Sequence, residues 1–69
     1  MAKEKLQGYY IELWYDGIRR WRIYDEQGRV GVWYPDSCNW YCAECNFAGR
    51  AYSLKEAVRQ LDQHRRVDH

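Results

Sequence analysis

The chain has 69 residues, room for one small domain, and a formal net charge of only +1. Hydrophobic residues make up 46% and aromatic residues 17%, which excludes a disordered, self-repelling chain. The near-neutral balance excludes a uniformly basic nucleic-acid binder, so any such role has to rest on a local patch.

At this length a hydrophobic core is marginal by itself, and a staple such as a metal or disulfides is expected. Residues 1–8 are polar and read as a flexible lead-in. They lack the apolar stretch of a signal peptide, and no segment reaches the length of a membrane span, so no membrane partner is expected. The cytoplasm is the expected compartment, where thiols stay reduced and clustered cysteines point to metal more often than to disulfides.

From Tyr9 the pattern changes. "YYIELWY" is aromatic and β-branched and ends at Asp16-Gly17, a pair suited to a two-residue hairpin turn. "IRRWRIY" follows, then the turn "DEQG", then "RVGVWY", closed by Pro35-Asp36-Ser37. Residues 9–35 therefore predict a three-stranded antiparallel meander. Pairing through these turns sorts the side chains onto two faces. One is expected to carry Tyr9, Ile11, Leu13, Tyr15, Arg20, Arg22, Tyr24, Val30, Val32 and Tyr34. The other is expected to carry Tyr10, Glu12, Trp14, Arg19, Trp21, Ile23 and Trp33. One helix covers only one of them, leaving the other open or facing a partner.

"CNWYCAEC" places three thiols in eight positions, Cys38, Cys42 and Cys45. "NFAGRAY" is a short connection with Gly49 as its turn and Tyr52 near the end of a short strand. Ser53, with Glu56 three residues later, forms a capping box at the start of a helix. Leu54, Ala57, Val58, Leu61 and His64 recur at helical spacing on its buried stripe.

Cys42 and Cys45 with His64 and His69 make the pattern C-x2-C-x18-H-x4-H. Tetrahedral zinc takes thiolate sulfur and imidazole nitrogen at such spacings. A rival set exchanges His69 for Cys38, and a chain without metal is the third reading. A redox role for the CxxC is disfavoured, because that motif works at a helix N-terminus and this helix begins eight residues later. Four protein ligands close a zinc site to substrate, so no catalytic residues are assigned and the chain is not expected to be an enzyme.

Residues 42–69 resemble a zinc finger of the two-cysteine, two-histidine type. They are similar to the short versions in small bacterial and bacteriophage proteins. The spacer is 18 residues here, against ~12 in the usual finger. The resemblance implies bound Zn2+, nucleic-acid binding, and a small bacterial or phage regulator working in the (host) cytoplasm. By the family's pattern the helix would read bases with Gln63, Gln60 and Ala57, but Ala57 falls on the apolar stripe.

The expected fold is α+β: a three-stranded antiparallel meander, a zinc knuckle and one C-terminal helix. Residues 9–69 form a single domain, with the sheet in 9–35 and the finger-like part in 38–69. Two binding roles follow. In the first, Trp14, Arg19, Arg20, Trp21, Arg22 and Trp33 on the sheet, with Arg59, Arg65 and Arg66 on the helix, engage nucleic acid. In the second, the same aromatic and arginine surface meets a protein partner or a second copy of the chain, as such residues dominate protein interfaces.

Overall fold

In the computed structural model, which describes residues 4–68, each strand runs antiparallel to the one before it. The strands are β1 (Glu4–Leu6), β2 (Tyr9–Tyr15), β3 (Arg19–Asp25), β4 (Gly28–Tyr34), β5 (Asn39–Cys42) and β6 (Ala48–Arg50). They form one sheet in the order β1-β2-β3-β4-β5-β6, and α1 (Leu54–Asp68) follows.

The expected three-stranded meander is thus corrected to a six-stranded one. β2, β3 and β4 lie where the aromatic runs put them. β1 falls within the expected lead-in, and β5 and β6 within the expected knuckle and connection. These three strands have three, four and three residues. Segments so short carry little intrinsic β preference and form because a paired neighbour is already there. β5 pairs with β4, joining the cysteine-bearing part to the rest of the sheet.

The turn between β2 and β3 decides which side chains share a face. Tyr15 pairs with Arg19, so the loop holds three residues, Asp16, Gly17 and Ile18, with Gly17 at φ +95°. A two-residue turn would have paired Tyr15 with Ile18. One residue of slip turns a whole strand over. The expected faces are therefore regrouped. Tyr9 and Ile11 share a face with Ile23, Trp21 and Trp33, while Tyr10, Glu12 and Trp14 share the other with Arg20, Arg22, Tyr24 and Val32. A bulge opposite Ile23 and Tyr24 turns Val30 into the core as well.

α1 lies over the first of these faces. Tyr9, Ile11, Ile23, Val30, Trp33, Trp40 and Cys42 meet Ala57, Val58 and Leu61 there. Ile23, Val58 and Leu61 are fully buried, each contributing about 1.5–3 kcal/mol of apolar transfer. The helix starts as its sequence requires. Ser53 Oγ accepts from Glu56 N–H at 3.1 Å, and Glu56 Oε1 accepts from Tyr52 N–H at 2.7 Å.

Two glycines let the layers approach. A Cβ on Gly31 would lie 2.6 Å from Leu61 Cδ2. A Cβ on Gly49 would lie 2.5 Å from the Trp40 ring, so the expected turn glycine is a strand residue that seats an aromatic ring.

Candidate metal centre and open sheet face

The β5–β6 connection folds back on itself through Cys42 N–H donating to the Phe47 carbonyl at 2.8 Å, with Asn46 in the left-handed conformation at φ +59°. This knuckle carries Cys42, buried, and Cys45, exposed, toward the last turns of α1. His64 arrives from the helix on the stripe of Val58 and Leu61, itself buried. The Sγ atoms of Cys42 and Cys45 and a ring nitrogen of His64 all lie within 4.8 Å of one another, with Cys45 Sγ 3.0 Å from His64 Nε2. Donors bound tetrahedrally at ~2.0–2.3 Å from one ion stand roughly 3.5–3.8 Å apart. The three atoms thus bracket the separation a common ion requires, and the group can hold a metal ion.

Phe47 stacks on the His64 ring at 4.4 Å between centroids and 14° between planes, and Trp40 flanks it at 6.1 Å. Trp40 is fixed in turn by its Nε1 donating to Gln60 Oε1 at 2.8 Å. The imidazole is therefore held in place by aromatic neighbours from β5 and the knuckle.

His69, the expected second histidine, lies outside the described residues. Cys38 stands apart from the cluster. It sits in the β4–β5 turn at φ +61°, its thiol directed at the Pro35 carbonyl at 3.8 Å. Three residues, Asn39, Trp40 and Tyr41, separate it from Cys42 along β5, a span of ~13 Å. The rival set containing Cys38 is not brought together.

The expected binding residues are divided by the corrected register. Trp14, Arg20 and Arg22 lie on the face away from the helix. The Arg22 guanidinium sits 4.0 Å over the Trp14 ring, and Trp14 Nε1 donates to Glu12 Oε1 at 2.7 Å. Arg20 pairs with Asp16 at 2.6 Å. Trp33 is on the helix side, buried, and donates through Nε1 to the Ala51 carbonyl at 3.0 Å; it is a core residue. Trp21 packs half-buried against the same core, and Arg19 pairs with Asp36 at 2.9 Å.

On the helix, Arg59 is exposed, 3.9 Å from Glu56, and Arg66 pairs with Asp62 at 2.9 Å. Arg65 is an internal tie. It reaches Asp25 at 3.1 Å, Glu44 at 3.2 Å and the Tyr9 hydroxyl at 3.2 Å, joining the helix to the end of β3, the knuckle and β2. Burial first, then the Asp62 carboxylate 2.6 Å away, raises the Tyr9 hydroxyl above its ordinary pKa, so it stays a donor. Of the helix positions that a finger would use for reading, two are turned inward, Ala57 buried and Gln60 bonded to Trp40, and Gln63 is exposed.

The register also brings in residues that the sequence reading placed elsewhere or left out. Arg50 pairs with Asn39 and Lys5 with Tyr10, so both belong to the helix-free face, together with Arg29, already expected on the sheet and paired with Tyr24. The strand positions of that face carry five cations, Lys5, Arg20, Arg22, Arg29 and Arg50, against one carboxylate, Glu12. Tyr34 and Tyr41 stand among them edge to face, centroids 5.7 Å apart. Loop length finds part of this set: counting Ile18 into the β2–β3 turn puts Glu12 and Trp14 with Arg20 and Arg22.

Scans against protein-family models, curated proteins and solved structures find no match for this chain. No helix among the described residues is long and apolar enough to cross a membrane.

Proposed function

We propose that this chain is a zinc-stabilised, non-enzymatic binding module whose helix-free sheet face engages nucleic acid. Zn2+ is the ion that best suits two thiolates and an imidazole at these separations. Cys42, Cys45 and His64 hold it, and His69 completes the tetrahedron. The order β5–β6–α1, with the cysteines on the hairpin knuckle and the histidine on the helix, is the ββα order of a finger and favours the resemblance. The ion ties the knuckle to the end of the helix, and with four protein ligands it leaves no position for substrate.

One observation carries the nucleic-acid reading. The whole chain has a net charge of +1, yet the strand positions of the open face gather five cations against one carboxylate, with Asp16 and Asp36 in the flanking turns paired to Arg20 and Arg19. The carboxylates Asp25, Glu44, Glu56 and Asp62 lie at the end of β3, in the knuckle and on the helix, and each faces an arginine there. Such segregation creates a local positive field on a near-neutral molecule.

The test is binding of the metal-loaded protein to duplex and single-stranded DNA across a salt series. Affinity is expected to fall steeply, with log K against log salt sloping by roughly −0.7 to −0.9 for each phosphate contacted. Replacing Arg20 and Arg29 with Ala should flatten that slope by about two contacts. Absence of binding at low salt refutes the reading. A second reading, a protein partner or homodimer, draws on Leu13, Tyr15 and Ile18, which are exposed at the end of the β2–β3 hairpin. A dimer by sedimentation together with no nucleic-acid binding selects it.

A further inference from the structure

Two cavities open side by side on the helix-free face, and they differ in chemistry. The first, of about 240 Å³, is walled by Arg20, Arg22 and Arg29. The second, of about 440 Å³, is walled by Ile18 with Asp36 and Ser37 at its rim. Tyr34 and Tyr41 line both and form the partition between them. The Nε–H groups of Arg20 and Arg22, beside the first cavity, are buried without an acceptor among the described residues. A bound oxyanion that draws the guanidinium heads toward it supplies such acceptors.

A ligand that fills both cavities has an anionic group next to a flat, largely apolar group with a polar edge. A nucleotide has that constitution. We infer that this face binds single-stranded nucleic acid one unstacked nucleotide at a time at this point, with phosphate in the arginine cavity and base against Ile18, Tyr34 and Tyr41. A base in a duplex is paired and stacked on its neighbours, so its ring faces do not reach a cavity walled by tyrosines; a single strand offers them at little cost. Asp36 and Ser37 provide an acceptor and a donor for the base edge. The inference rests on the nucleic-acid reading above and narrows it to single strands.

The experiment measures fluorescence anisotropy of a labelled thymidine oligonucleotide, and of a labelled duplex of matched length, with the metal-loaded full chain at fixed low salt. The single strand is expected to bind at least about 10-fold tighter. Tyr41 is 40% exposed, so Tyr41→Ala should keep the fold, checked by circular dichroism and metal content. That variant should lose about 5- to 150-fold on the single strand, the range for one lost base stack, and change little on the duplex. Tyr41→Phe, which keeps the ring, should retain most of the affinity. Equal affinity for both forms, with Tyr41→Ala silent, overturns this inference and leaves nucleic-acid binding by the basic face intact. Binding to neither form overturns both.

Discussion

Replacing Gly49 with Ala tests how the sheet, the helix and the metal centre depend on one another. The added Cβ would stand 2.5 Å from Trp40 Cε2 and Nε1, whereas ordinary contact begins at 3.4 Å, so the ring must retreat by 0.9 Å, the difference of the two. Trp40 is only 2% exposed and is packed against Phe47, Gln60 and His64. Its retreat stretches the 2.8 Å bond from Nε1 to Gln60 and presses on Phe47 and His64, its ring neighbours. Overpacking costs about 1–3 kcal/mol and the lost hydrogen bond about 0.5–1.5 kcal/mol, about 1.5–4.5 kcal/mol together. A core of this size supplies about 3–5 kcal/mol, so the variant should be close to unfolded without metal. Urea titration followed by tryptophan fluorescence, with and without zinc, measures the loss. Zinc affinity should fall as well, because Trp40 and Phe47 hold the His64 ring. A Gly49→Ala protein within about 0.5 kcal/mol of the parent, the range of a neutral surface change, refutes the packing argument.

The ligand set is tested by spectroscopy of the cobalt-substituted protein. Cys42→Ser, Cys45→Ser and His64→Ala should each abolish or greatly weaken the thiolate-to-metal band, while Cys38→Ser leaves it in place. Chelation of the metal should lower the melting point by ten degrees or more and reduce helix content, since structural zinc contributes about 10–16 kcal/mol in finger peptides; an unchanged spectrum and melting point remove zinc from the account. The Asp25 carboxyl is held below its ordinary value of 3.8, first by the Gln27 N–H, then by the Gly28 N–H and by Arg65. A lowered folded-state value contributes stability above 3.8 that is lost as pH falls through the folded value. Asp25→Asn should therefore flatten the acid limb of the stability curve below pH 3.8, and an identical limb in the variant refutes that assignment. Ser53→Ala removes the acceptor for Glu56 N–H and should cost about 0.5–2 kcal/mol in the same titration.

The helix was legible because its signals are local. The Ser53–Glu56 cap and the Leu54, Ala57, Val58, Leu61, His64 stripe lie within a few turns of one another, and each appears in the structure where the sequence put it. The Cys42, Cys45 and His64 group, which can hold a metal ion, was legible for the same reason: spacing constrains which side chains reach one point. The sheet was legible only in part. Aromatic and β-branched runs mark β2, β3 and β4, but "AGR" has no such mark, the aromatic pair in "NWYC" sits among the cysteines, and Gly49 reads as a turn until Trp40 is seen lying across it.

What the sequence determined by itself is the set of elements with local codes: three strands, two hairpin turns, a capped helix and a cysteine knuckle in register with a helical histidine. What only the tertiary structure decided is which surface each element shows. One residue, Ile18, joining a loop rather than a strand turned β2 over relative to β3, because the side-chain period of a strand is two. That slip put Tyr9 and Ile11 of β2 with Ile23 and Trp33 beneath the helix, and Glu12 and Trp14 with Arg20 and Arg22 on the open side. The helix then chose its face by apolar area, leaving the charged one uncovered, since burying unpaired arginines costs far more than leaving them in water.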